Sequence, residues 1–185
     1  MKIIFETIDK IAFTEFYKLK RPELFSQNFG FSAIQAMSIE EREFFKIYNT
    51  SFQDMKELRW VAKYYDEIIG WTFGIQKSEE DFYMINSAVL PEYRNKGIYT
   101  KLLALTVEKC KEMGFQRIYS RHHMSNNAII IPKLKYGFTI TGFEIDDRFG
   151  TMAILSYYTN ELRREMMSVR DGSVKVTDRL KPFLD

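Results

Sequence analysis

The chain has 185 residues, 45% apolar and 28% charged, with a net charge of +2, which suits one domain with its own core and gives no electrostatic case for a nucleic-acid partner. Its single cysteine, Cys110, excludes an intrachain disulfide and a cysteine-based zinc site, and no metal is expected. No apolar run reaches the length of a membrane span, so the expectation is a cytoplasmic protein in a reducing compartment.

Residues 1–6 are too short and too soon acidic for a secretory signal, and residues 2–8 alternate as an edge strand would. Residues 9–19 place Ile11, Phe13, Phe16, Tyr17 and Leu19 at helical spacing, with Asp9 as cap and Arg21-Pro22 as the stop. Residues 25–34 carry Phe25, Phe29 and Phe31 without a period and read as an aromatic loop. Ser38 and Glu41 make a capping box for a helix to about Tyr48. Residues 58–65 and 68–75 read as a hairpin turning at Asp66-Glu67, and residues 82–90 as a central strand poor in charge.

A helix begins near Gly97, with Tyr99, Leu102, Leu103, Thr106, Val107, Cys110 and Met113 on one side and Gly114 at its end. Cys110 lies on that stripe and reads as core, not as a nucleophile. Residues 115–121 form a strand, and the helix before it makes the unit a parallel β-α-β crossover. Residues 126–136 are helical, with Pro132 expected to cut or kink them. Residues 138–145 and 151–158 are a second hairpin, residues 160–169 a polar helix, and the rest a tail. The fold class is α+β: a mixed central sheet with one parallel crossover and flanking helices. Residues 1–160 are expected as one domain, with 1–50 its N-terminal helical part, followed by a polar C-terminal helix and tail at 161–185.

Residues 88–103 organise this chain. An apolar strand ends at Pro91, crosses the basic turn of Arg94 and Lys96, and enters a helix at Gly97. The first turn of a helix leaves N–H groups without partners at the positive end of its dipole, which favours a phosphate. The stretch reads as a diphosphate cradle; the plain alternative is a solvated basic turn.

The spelling Val89-x-Pro91-x-x-Arg94-x-x-Gly97-x resembles motif A of the GNAT superfamily of acetyl-CoA-dependent N-acetyltransferases, with Tyr99 where that motif has a glycine or alanine. Asn126, eleven residues before Gly137-Phe138, resembles motif B. The element order over residues 38–158 is similar to that fold. The resemblance implies acetyl-CoA as cosubstrate, a strand that splays from its parallel neighbour at a bulge, and pantetheine pairing with Ala88, Val89 and Leu90. It implies pyrophosphate on the main chain of Arg94, Asn95, Lys96, Gly97, Ile98, Tyr99 and Thr100, and Asn126 on the pantetheine arm.

At neutral pH roughly one alkyl amine in 10³ is unprotonated, so transfer to an amine calls for a base or for desolvation. Relatives often carry a carboxylate in the strand before motif A; the corresponding places are Ile85 and Asn86, and no acid lies between Phe82 and Leu90. His122 and His123 follow the neighbouring strand and are the candidate bases, His122 first; the alternative is a surface pair. The family's acid is a tyrosine four residues before the glycine of motif B. That place holds Lys133, which either protonates the leaving thiolate or is a solvated surface lysine, and Tyr136 is a substitute. The aromatic loop 25–31 is expected to line the acceptor site or to pack on the sheet.

The function expected is acetyl transfer from acetyl-CoA to a primary amine, small-molecule or peptide, in a ternary complex. The alternative is a CoA-binding module without turnover. No nucleic acid and no membrane are expected as partners. The polar helix and tail read as an arm for a homodimer or as a disordered end.

Overall fold

The computed structural model describes residues 1–25, 33–50 and 55–184. Seven strands, β1 (Ile3–Thr7), β2 (Glu57–Tyr64), β3 (Glu67–Gln76), β4 (Asp81–Val89), β5 (Arg117–His123), β6 (Thr139–Asp146) and β7 (Gly150–Tyr158), form one sheet in the order β1-β2-β3-β4-β5-β7-β6. β4 and β5 are parallel, and the other pairs are antiparallel. The parallel pair is joined by α4 (Ile98–Glu112), as the helix between two apolar strands requires.

Period-two alternation in β3 sends its residues to two different layers. Trp71 and Phe73 face α1 (Lys10–Leu24), where Phe16 meets Trp71 edge-on at 5.2 Å and Phe13 lies 5.4 Å from Phe73. Gly70 faces α4: a Cβ there would come within 3.3 Å of Ile98 Cγ2. The missing side chain lets the first turn of α4 sit close on the sheet. Leu102, Leu103, Val107 and Cys110 of α4 are buried against the sheet. Burial pushes the Cys110 thiol up, so it stays protonated as a core residue.

Asp9 caps α1 by accepting from the N–H groups of Ile11 and Ala12. The expected stop at Arg21-Pro22 does not occur, and α1 runs through Pro22 to Leu24. Pro22 lies in the last turn, where it removes one backbone bond, and packing of Phe13, Phe16, Tyr17 and Leu24 on the sheet holds the helix against that loss. Two short helices follow, α2 (Ala33–Ala36) and α3 (Ile39–Thr50). The capping box forms: Ser38 N–H donates to Glu41 at 2.7 Å, and Glu41 N–H to Ser38 Oγ at 3.2 Å. The aromatic loop at 25–31 falls, apart from Phe25, outside the described residues.

Pro132 likewise fails to break α5 (Asn127–Tyr136), which ends on Gly137 in the left-handed region at φ 107°. The tail is not a loose end. α6 (Glu161–Arg170) is anchored by Arg164, which donates to the carbonyls of Tyr158 and Thr159, and Arg163 pairs with Glu80. Beyond it Leu180 is buried and Arg179 lies against Glu161 and Glu165. Among the described residues no helix is long and apolar enough to cross a membrane, and no cluster of metal-ligating side chains occurs.

Candidate active site

β4 and β5 pair over three positions only, Asp81 to Tyr83 against Arg117 to Tyr119. Two residues further on, β4 carries an extra residue: Phe73 faces Asn86 and Gly74 faces Met84, which leaves Ile85 as a bulge. A bulge bends its strand and increases its twist. From there β4 follows β3 while β5 follows β7, and the two strands part.

Main-chain groups of β4 alternate between its two neighbours. Leu90 N–H donates to Ile69 of β3 at 2.9 Å, so with period two Val89 and Ser87 turn theirs toward the opening. The Val89 carbonyl accepts from Arg94 Nε at 3.1 Å, and the strand then breaks into a 3-10 turn at Pro91–Tyr93. Asn95 and Gly97 take positive φ, 61° and 75°, and Gly97 caps α4. The first backward bond of the helix runs from Lys101 N–H to the Gly97 carbonyl, so the N–H groups of Ile98, Tyr99 and Thr100 have no partner within the helix.

These groups border a cavity of about 560 Å³. Its walls are the end of β4 (Ser87, Ala88, Val89), the turn and first helical residues (Tyr93, Arg94, Asn95, Gly97, Ile98, Tyr99, Thr100), and α5 with its cap (Asn126, Ala128, Ile129, Pro132). Leu24 and Phe25 close one side. Among the described residues the lining holds one cation, Arg94, and no carboxylate. Together with the positive end of α4 it suits an anionic ligand. Pro132 has no N–H, so the Ala128 carbonyl lacks its helical donor, and both residues border the cavity.

The cavity brings together Ala88, Val89, Arg94, Asn95, Gly97, Ile98, Tyr99, Thr100 and Asn126 of the expected cofactor residues. Leu90 and Lys96 stand outside it. Leu90 is buried, its N–H bonded to Ile69 and its carbonyl to Tyr93 N–H. Lys96 is exposed, with Nζ on the Glu92 carbonyl at 3.0 Å and over the Tyr93 ring. The Tyr99 ring packs into the core, and its hydroxyl is buried without a partner among the described residues. Burial pushes that phenol upward, so it stays neutral.

Lys133 is not a solvated surface lysine. It is 1% exposed, on the face of α5 that carries Ile130. Its Nζ donates to Ser120 Oγ at 2.8 Å, approaches Met84 Sδ at 3.3 Å, and lies 4.4 Å from the Phe138 ring centre. Met84 and Ser120 each lie one residue past the last parallel pair, so the amine sits where the two strands begin to part. Burial brings it down to about 7. His122 is half-buried, with Nε2 at 2.9 Å from the same Ser120 Oγ. Burial first, and then the nearby Lys133, lower it to about 3. His123 is exposed and bonds Ser125. Tyr136 packs on Phe138 and Tyr157 at the far end of α5.

Sequence reasoning missed Ser120, Ser87, Ala128 and Pro132 as site residues. Ser120 had a signal: Ile118, Ser120 and His122 alternate on one face of β5, and a serine between two inward residues is a polar group that needs a partner. Pro132 does not break α5; it frees the Ala128 carbonyl inside it.

Residues 14–138 match the Acetyltransferase (GNAT) family. No curated protein matches the chain by sequence. Among solved structures the chain is similar to an IAA acetyltransferase from Bacillus cereus, with 19% identity, TM-score 0.60, and 85% of this chain and 99% of that one covered. An N-acetyltransferase from Staphylococcus aureus superposes with TM-score 0.63 at 15% identity, covering 86% of this chain and 100% of that one. A Salmonella typhimurium protein solved with its cofactor acetyl-CoA superposes with TM-score 0.60 at 15% identity, covering 87% and 96%. These likenesses bear on the fold, and the family match spans well over half of the sequence: the chain belongs to the GNAT family of acetyltransferases.

Proposed function

We propose that the chain transfers an acetyl group from acetyl-CoA to a primary amine held in the same complex. The observation that carries this reading is the parting of β4 from β5 at the Ile85 bulge, beside a cavity that ends on the uncovered N-terminus of α4. The residues present fit the cosubstrate. The N–H groups of Gly97 to Thr100 and the Arg94 guanidinium suit a pyrophosphate. The Val89 N–H, the Asn126 side chain and the Ala128 carbonyl suit the amides of a pantetheine arm. Acetyl-CoA, when bound, supplies the thioester whose acyl group moves.

Lys133 stands at the vertex of the splay, with an amine near neutrality that serves proton transfer at physiological pH. His122 lies two residues beyond Ser120 on the same face of β5. No carboxylate on β4 past Asp81 competes for that task. A small-molecule or peptide amine is the acceptor, and the cytoplasm the compartment where acetyl-CoA and such amines meet.

The test is thiol release from acetyl-CoA across a panel of polyamines, amino acids, aminoglycosides and peptide N-termini, with mass spectrometry of each product. Acetylation of at least one amine, dependent on Arg94, is the expected result. Tight CoA binding with no transfer to any amine would instead make the chain a CoA-binding module.

A further inference from the structure

His122 and Lys133 are separate candidates in sequence, yet a single hydroxyl joins them. Ser120 Oγ lies 2.8 Å from Lys133 Nζ and 2.9 Å from His122 Nε2. A hydroxyl has one proton to give, so it donates to only one of the two at a time. When Lys133 is an ammonium it donates to Oγ, and Ser120 gives its own proton to Nε2. When Lys133 is a free amine, Ser120 can turn its proton to Nζ, and Nε2 becomes the donor. The charge on Lys133 and the tautomer of His122 are therefore linked. Nδ1 of His122 has no protein partner among the described residues, which leaves it the one ring nitrogen that can take a proton from outside the trio.

We propose that Lys133, Ser120 and His122 form one proton relay, in which His122 is the entry, Ser120 the positioning residue, and Lys133 both the final base for the amine and the acid for the leaving thiolate. This rests on the transferase reading above. In the transfer, the amine nitrogen bonds the acyl carbon and the carbon–sulfur bond breaks with its electron pair on sulfur. The proton lost by nitrogen enters His122 at Nδ1, the Nε2 proton passes to Ser120, and the Ser120 proton passes to Lys133. Lys133 then returns one proton to sulfur and is neutral again. His122 regains its first tautomer by exchange with solvent.

The environment supports this direction. With His122 low and Lys133 near 7, a proton entering at the imidazole moves on and comes to rest on the lysine. Facing Lys133 are Met84 from β4, Ser120 and His122 from β5, and Phe138 after α5, so His122 is its one ionisable partner among these described contacts. A relay ending on a buried lysine also removes the need for the carboxylate that β4 lacks.

The test uses the full chain and two measurements. The first follows the ring nitrogens of His122 by NMR from pH 5.5 to 9, with no acyl donor present. A tautomer switch centred near pH 7 is expected, in step with the Lys133 amine and lost in Ser120→Ala. The second is the pH profile of kcat on the best amine. It should rise about tenfold per pH unit below 7 and level above it, because Lys133 must be neutral to receive the proton. Ser120→Ala should lower kcat about 100-fold and abolish that limb, with KM for acetyl-CoA within about twofold. His122→Gln, which keeps a polar side chain but cannot relay, should do the same. Transfer without a tautomer switch, or a Ser120→Ala enzyme that keeps the limb near 7, overturns the relay alone. A switch without transfer to any amine overturns the transferase reading and the relay's use together.

Discussion

Lys133 of α5 and Met84 of β4 meet at 3.3 Å, nitrogen to sulfur, one residue beyond the last parallel pairing of β4 with β5. A thioether is a weak acceptor and cannot neutralise an ammonium. Among the described residues the lysine is thus buried without a counter-charge at the vertex of the splay, and its burial is a standing cost to the fold.

That cost has a pH signature. The Lys133 pKa is about 7 in the folded chain against an ordinary value of 10.5. Between these values the unfolded chain binds more protons than the folded one, so wild-type stability rises with pH from 7 to 10.5. Below 7 the penalty is complete. Lys133→Met should therefore raise stability by roughly 2–4 kcal/mol below pH 7, with the gain shrinking toward pH 10.5. Denaturant melts of both chains at pH 6 and pH 10 measure this, and activity should be lost in the more stable variant.

Arg94 and Lys96 are two basic residues on one turn with different surroundings. Arg94 borders the cavity and Lys96 does not. Arg94→Gln should weaken CoA binding about 10- to 100-fold, the range for a charge-assisted hydrogen bond. Lys96→Gln should change it by less than about threefold, as expected for an exposed charge. Titration calorimetry at fixed salt separates the two, and equal effects would place the phosphate elsewhere on the turn.

Pro132 offers a test of opposite signs. Pro132→Ala restores an N–H that can bond the Ala128 carbonyl inside α5. It should stabilise the chain by about 1–3 kcal/mol, since proline in a helix interior costs about 3. If that carbonyl receives the cofactor, the same change should raise KM for acetyl-CoA several-fold. Thermal melts and steady-state kinetics on one variant report both.

Gly74 lies opposite Met84 at the bulge, and a Cβ there would stand 2.5 Å from Phe82 Cε1 and 2.6 Å from the Tyr83 carbonyl. Gly74→Ala should cost about 1–3 kcal/mol by overpacking. Because the strain falls where β4 turns away from β5, turnover should fall further than stability alone explains, at temperatures where the variant is fully folded by circular dichroism.

Much of the fold was open to reading. The apolar strand, the helical stripe ending at Gly114 and the next strand dictate a parallel crossover, and Gly97 does open the helix that joins the parallel pair. The two prolines misled because propensity is local, while α1 and α5 are held by what they pack on. Pro22 is carried by Phe13, Phe16 and Tyr17 on Trp71 and Phe73. Lys133 misled for a related reason. Three successive isoleucines make α5 apolar all round, so its buried face does not stand out. Ile131 and Leu134 are in fact exposed, while Lys133, three residues after the buried Ile130, goes inside. Leu90 and Lys96 fall outside the cavity lining, and for Leu90 the reason lies far off in sequence: the Ile69 carbonyl of β3 takes its N–H.

The central claim is that the opening between β4 and α5 seats acetyl-CoA. Amide NMR of the labelled chain titrated with CoA tests it most directly. The account predicts saturable binding with the largest shifts at the N–H groups of Val89 and of Gly97, Ile98, Tyr99 and Thr100, reduced in Arg94→Gln. No saturation, or shifts centred away from β4 and the first turn of α4, would contradict it.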